Sequence, residues 1–266
     1  MSSTSQDAFG LPHAKRQKVV VAQSSAVSQI APRGGSRIFS PFRTLGLVSP
    51  TSVPFTSIPL GKTTFQITTS VGRSLQTYDL RKGLSLVFLT RPQTPGPISA
   101  TCSWKAYVFA AWDASGLPGQ SSGIWVFKRG KKVAEIPMPT DTEKIDKILV
   151  FGSWIVGCCG RRIEVWKSAT FEHYTTLLPP ASGLPSENNI LTGAVCTMPT
   201  YLNKIFVGRV DGAVDIWNLS TGKLLYTILP AAPKSGSVTA IEPTPVLSLA
   251  AIAYSSGALT IHNISS

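Results

Sequence analysis

Three histidines, thirteen carboxylates and four cysteines are the first candidates for acid–base, metal or nucleophilic chemistry in this chain. His13 lies in a polar N-terminal stretch, His173 opens an apolar strand and His262 ends an alternating one. None has a Ser or Cys beside it in a nucleophile motif. The carboxylates cluster once, in Asp141-Thr-Glu-Lys-Ile-Asp146. Three acids could hold a cation, but Lys144 and Lys147 flank them, and the segment reads as a solvated, self-paired loop. Cys102, Cys158, Cys159 and Cys196 form no C-x-x-C pair and have no His at ligand spacing, which predicts neither a metal site nor a cofactor. Adjacent Cys158 and Cys159 point to opposite faces of a strand and read as one core and one surface residue. Gly61-Lys-Thr63 fails as a phosphate loop, because the required earlier glycine is Thr56 and no helix follows. The sequons at Asn218 and Asn263 fall in strand–turn elements and are discounted. These residues predict no enzyme.

The elements that carry them repeat. An apolar strand, a Gly-containing turn and an alternating strand ending in a ring recur five times: VGRSLQTYDL (71–80), SSGIWVFKRG (121–130), CGRRIEVWKS (159–168), VDGAVDIWNL (210–219) and SSGALTIHNI (255–264). The terminal rings are Tyr78, Phe127, Trp166, Trp217 and His262, spaced by 49, 39, 51 and 45 residues. A mean near 46 matches a four-stranded propeller blade. In Ala213–Trp217, Val214 and Ile216 face one side of the sheet while Asp215 and Trp217 face the other. Gly72 and the Asp211-Gly212 pair mark hairpin turns, and Asp79 or Asn218 after the ring begins the next turn.

First strands are expected at Val53–Leu60, Ile98–Cys102, Lys144–Leu149, Ile190–Thr197 and Val238–Pro243. Second strands are expected at Phe65–Ser70, Tyr107–Trp112, Trp154–Cys158, Lys204–Arg209 and Ala250–Tyr254. Fourth strands are expected at Leu84–Leu89, Lys132–Ile136, His173–Leu178 and Leu224–Leu229, most followed by Pro. The fifth repeat lacks a fourth strand. The fold class is therefore all-β: a WD-repeat β-propeller with about five blades, expected to be part of a larger seven-bladed ring, with a complete five-bladed ring as the alternative. Residues 37–266 form this incomplete propeller, and Ile38–Leu47 is expected to close the ring.

Composition agrees. Hydrophobic residues make up 43% and charged ones 14%, with 22 Gly and 20 Pro to punctuate short strands. No run approaches 18 apolar residues, which predicts no membrane span. Residues 1–36 are rich in Ser, Ala, Gln and Gly and read as a disordered basic tail. Its cluster at Lys15, Arg16 and Lys18 is a candidate nuclear import signal. Residues 1–43 hold six basic residues and one acidic, and the remainder 19 and 12, so the body is basic on its own account. Such a surface favours acidic or phosphate-rich partners. The rings of Trp166 and Phe127 recur once per blade and belong to packing. The free charges lie in the turns, at Arg73, Arg161, Arg162, Arg209 and the Lys128–Lys132 run, where partners dock.

Two segments go beyond a generic propeller. Arg37-Ile-Phe-Ser-Pro-Phe-Arg-Thr-Leu-Gly-Leu47 and Thr68-Thr-Ser-Val-Gly-Arg-Ser-Leu-Gln-Thr-Tyr-Asp79 resemble the start of the U3 small nucleolar RNA-associated protein 21 family, also called WD repeat-containing protein 36. The basic tail and the Gly208–Trp217 blade are similar to that family too. The resemblance is close over residues 37–90 and looser beyond. It implies a non-catalytic scaffold subunit of UTP-B in the small-subunit processome, supporting pre-rRNA processing and 18S rRNA maturation in the nucleolus of the nucleus. Implied partners are other WD-repeat proteins of UTP-B and the U3 snoRNA and pre-rRNA particle, with Arg43 joining the turn arginines as a candidate contact. It also implies two tandem propellers and a helical C-terminal domain, of which this chain would be the start. The chain departs from the usual WD pattern. No blade has a Gly-His pair before its second strand, and only Asp211 supplies the turn aspartate, which should shift stabilisation onto packing.

Two other readings remain at this point. A WD-type adaptor in trafficking or ubiquitin ligation would share the fold, but the two quoted segments speak against it. A propeller enzyme would need inward-facing His or carboxylates on several inner strands, and no such set, nor a small-molecule site, is visible.

Overall fold

The structure, a computed structural model, describes residues 48, 50–62, 64–115, 117, 121–139, 143–179, 190–198, 203–230, 232, 235–245 and 248–264. All lie in the second of two compact units, Leu45–Ser266. The expected tail at 1–36, the import cluster, Arg43 and the closing strand Ile38–Leu47 fall outside the described residues.

Among the described residues nineteen strands form five antiparallel sheets in chain order. The first holds Thr56–Pro59 (β1), Phe65–Val71 (β2), Ser74–Asp79 (β3) and Ser85–Leu89 (β4). The second holds Ile98–Trp104 (β5), Tyr107–Trp112 (β6), Gly123–Lys128 (β7) and Lys131–Pro137 (β8). Next come Ile145–Phe151 (β9), Trp154–Cys159 (β10), Arg162–Lys167 (β11) and His173–Leu177 (β12). The fourth holds Leu191–Thr197 (β13), Lys204–Arg209 (β14), Val214–Asn218 (β15) and Lys223–Ile228 (β16). Val238–Pro243 (β17), Leu249–Tyr254 (β18) and Leu259–Asn263 (β19) make a three-stranded fifth sheet. These are meanders, each strand pairing with its sequence neighbour, as blades of a partial WD propeller do. The expected strands match to within a few residues at their ends.

Turn chemistry sets the hairpins. Asp79 accepts the backbone N–H of Arg81 at 2.9 Å, opens a single 3-10 turn at Leu80–Lys82, and Gly83 at φ 61 ends it. Asn218 Oδ1 accepts from the N–H of Ser220 at 3.0 Å in the equivalent turn of the fourth blade. Gly212, at φ 86, carries the β14–β15 turn, and a Cβ there would lie 2.7 Å from the carbonyl of Gly236 in the next blade.

The core lies between the sheets. Four buried clusters fill the four seams between consecutive blades. The two faces of a strand serve two seams. Ile124 and Val126 pack toward the third blade, while Trp125 and Phe127 pack toward the first. Cys158 and Cys159 divide in the same way, each in a different cluster. Their faces are opposite, as expected, but neither is on the surface: both are buried, because a blade has a neighbour on each side. The expected surface cysteine is thereby corrected.

One irregularity recurs. In each of the four complete blades the third-to-fourth strand register shifts just before the ring residue, between Thr77 and Tyr78, Val126 and Phe127, Val165 and Trp166, and Ile216 and Trp217. The unpaired residues opposite are Val87, Val133, Tyr174 and Leu225, all exposed. A bulge bends the outer strand and increases its twist.

Candidate interaction surface

The ring positions are structural. Phe127, Trp166 and Trp217 are each less than 5% exposed and stand in the seam toward the preceding blade. Tyr78 is buried and donates its hydroxyl to Gln76 Oε1 at 2.5 Å. His262 is half-buried, with Nε2 2.8 Å from the Thr260 hydroxyl. Gly72, at φ 58, carries the β2–β3 turn. No stacking face for a base is open at Trp166 or Phe127.

Two carboxylates unflagged by the sequence reading are wholly buried. Glu164 on β11 lies 3.1 Å from Arg162 Nε and 2.8 Å from His173 Nε2, and accepts the Thr176 hydroxyl at 2.6 Å. Asp215 on β15 accepts the Thr227 hydroxyl at 2.7 Å and faces Arg209 Nη1 at 3.5 Å. Each acid sits two residues before the blade's Trp, and each threonine is its direct partner on the fourth strand. The detectable signal was the recurrence of acid-x-Trp with an aligned Thr on the next strand. Burial raises the Asp215 pKa, against the lowering effect of the Thr227 hydrogen bond and Arg209. A hydrogen bond from the Arg81 guanidinium lowers that of Asp79, which Arg81 also meets as an ion pair at 3.0 Å. Blade three, which has no turn aspartate, thus keeps a buried polar contact through Glu164, while in blade four Asp215 shares Arg209 with the turn aspartate Asp211.

Of the turn arginines, Arg73 and Arg161 are exposed, and Arg73 Nε donates to the carbonyl of Thr94 at 2.6 Å. Arg162 is half-buried against Glu164. Arg209 is not a free rim charge: its side chain is 8% exposed and pairs with Asp211 and Asp215. Asp211 in turn accepts the N–H of Ala213 at 3.0 Å and so closes its turn. His173 is tied to Glu164, and Lys144 pairs with Asp146 at 3.3 Å in the acidic segment. Among the described residues no cluster of His, Cys, Asp or Glu is arranged to hold a metal ion, and no helix is long and apolar enough to cross a membrane.

Five meander sheets, with recurring rings in their seams and acid–threonine pairs in the third and fourth, define a WD-type β-propeller presenting its turns and outer strands. Residues 67–266 match the family model for the WDR36/Utp21 first beta-propeller. The chain belongs to the WDR36/Utp21 family. It is 34% identical over 236 residues to the U3 small nucleolar RNA-associated protein 21 homolog of Schizosaccharomyces pombe, covering 88% of this chain and 24% of that protein. Against the human WD repeat-containing protein 36 the identity is 33%, over 87% of this chain and 24% of the relative. The Saccharomyces cerevisiae U3 small nucleolar RNA-associated protein 21 is 30% identical, over 86% and 23%. The chain thus spans about a quarter of the length of these relatives. Among solved structures, the computationally designed Ika8 protein superposes with a TM-score of 0.58 at 13% identity, over 77% of this chain and 57% of that one. At that identity the likeness concerns the fold alone.

Proposed function

We propose that the chain is a non-catalytic scaffold in the UTP-B part of the small-subunit processome, supporting pre-rRNA processing in the nucleolus. The observation that carries this reading is the family match over residues 67–266, to relatives named for association with U3 small nucleolar RNA. The fold suits it, since propeller rims offer turns from several blades to several partners at once. Its partners would be other WD-repeat proteins and the U3 and pre-rRNA particle, with exposed Arg73 and Arg161 as contact candidates. Lys15, Arg16 and Lys18 would direct import, and the five sheets would belong to a larger seven-bladed ring.

The test is affinity purification of the tagged full-length protein from growing cells at two salt concentrations, with partner proteins identified and RNA sequenced. Other propeller proteins together with U3 RNA and 5′ pre-rRNA are expected, with RNA recovery falling as salt rises. Coat or ligase subunits without rRNA precursors would overturn the reading and leave an adaptor of another complex.

A further inference from the structure

The seam between the first two blades differs from the other three in its filling. Those are closed by several large apolar side chains from each of the two blades. Here, among the described residues, the first blade supplies Leu75 alone to the buried apolar cluster, with Ile58 partly buried against it, because β2 and β3 place Thr68, Ser70 and Thr77 at buried positions. Hydroxyls are shorter than aliphatic side chains, and Thr68 and Thr77 bond each other at 2.8 Å instead of reaching across. A cavity of about 380 Å3 results, lined by Ile58, Leu60, Leu75, Phe88, Val108 and Phe127 among others. That volume lies within the range of small-ligand pockets.

Its charge differs as well. Residues 56–137, which form the first two blades, hold ten Lys and Arg and three acids, whereas residues 138–266 hold nine of each. The net positive charge of residues 56–266 is therefore carried by the two blades that enclose this cavity. Two of the three acids are already paired, Asp79 with Arg81 and Glu135 with Lys132. In an antiparallel meander the first and third turns lie at the same end of the strands. Lys62, Lys82, Lys105, Lys128, Arg129 and Lys131 all belong to, or flank, those turns. Lys105 and Arg129 line the cavity itself, both exposed and both at positive φ, 54 and 50.

We propose that this seam is a docking groove for an extended segment of another protein, acidic in character. One large apolar side chain enters the cavity, and flanking Asp or Glu residues pair with Lys105 and Arg129. The apolar lining selects a peptide over a nucleic acid. A single strand needs open aromatic faces for its bases, and the rings here line the inside of a cavity. The inference stands independently of which particle the chain joins.

The test is selection of displayed random short peptides on the full-length protein, followed by anisotropy with a labelled selected peptide. Enrichment of Asp and Glu around one aromatic or aliphatic residue is expected. The exposed turn residue Ala106 also lines the cavity, so Ala106→Trp fills it without touching the core. That change, and Lys105→Glu with Arg129→Glu, should each weaken the peptide about tenfold or more, while Arg161→Glu in the third blade should not. Thermal unfolding of each variant confirms folding. No enriched acidic motif, indifference to Ala106→Trp, or displacement of the peptide by single-stranded RNA through the charges alone would overturn the proposal.

Discussion

The hydroxyl of Thr227 donates to Asp215 Oδ1 at 2.7 Å, across a strand pair in which the two residues are direct partners. Thr176 and Glu164 repeat the relationship one blade earlier, at 2.6 Å. Asp215→Ala should cost about 1–2 kcal/mol, because the buried Thr227 hydroxyl loses its acceptor while Arg209 keeps Asp211. Thr227→Val should cost about 1 kcal/mol. A double-mutant cycle read by urea unfolding should show coupling of about 1 kcal/mol, and additive effects would contradict the pairing.

Asp215 also predicts a pH dependence. Its carboxyl pKa is raised above 3.8 in the fold, so the folded state holds that proton more tightly than the unfolded chain. Below 3.8 both states are protonated and this group contributes no penalty. As pH rises from 3.8 through the raised value, its ionisation costs stability, and the full cost persists above. Asp79 has the opposite sign: its lowered pKa adds stability above 3.8, which is lost as pH falls through the lowered value. Denaturant midpoints of Asp215→Asn should lose the first dependence and keep the second. An unchanged profile would refute the assignment.

Two glycines mark where neighbouring blades touch. A Cβ at Gly208 would lie 2.7 Å from Val238 Cγ1, and one at Gly212 would lie 2.7 Å from the Gly236 carbonyl. Both are contacts between the fourth and fifth blades. Gly212→Ala also forces a side chain into a left-handed turn, so it should destabilise by about 2 kcal/mol. Equal or higher melting temperatures for either Ala variant would show that the blades sit further apart.

Burial pushes the thiol of Cys158 up to about 12 and that of Cys159 higher still. At pH 8 the thiolate fraction of Cys158 is then roughly one in ten thousand. Both thiols should resist an aromatic disulfide reagent in the native protein and react once denaturant is added. Rapid native labelling at either position, mapped by mass spectrometry, would place that residue nearer solvent.

The blades were legible because their cause is local. Alternating runs such as Tyr107–Trp112 and turn residues such as Asn218 and Gly212 act over a few positions. The bulges at Val87, Val133, Tyr174 and Leu225 were not legible, since an inserted residue changes the pairing partner without breaking the apolar pattern. Arg209 looked like a turn charge because its partner Asp215 lies on a neighbouring strand, with side-chain direction decided by the fold. The cavity under Phe88 was hidden for a similar reason. The hydroxyls of Thr68 and Thr77 read as ordinary strand residues until another blade stands opposite and fails to be met.

The uneven distribution of Lys and Arg along the chain has a kinetic consequence. Positive charge gathered on the first two blades, with neutrality on the other three, makes an electric dipole, and a dipole experiences torque in the field of a distant polyanion. Such a field favours encounters in which the first two blades of the propeller face the polyanion. That orienting reach extends about one Debye length, roughly 10 Å at 0.1 M salt, so ionic strength regulates how often an encounter begins with the correct side.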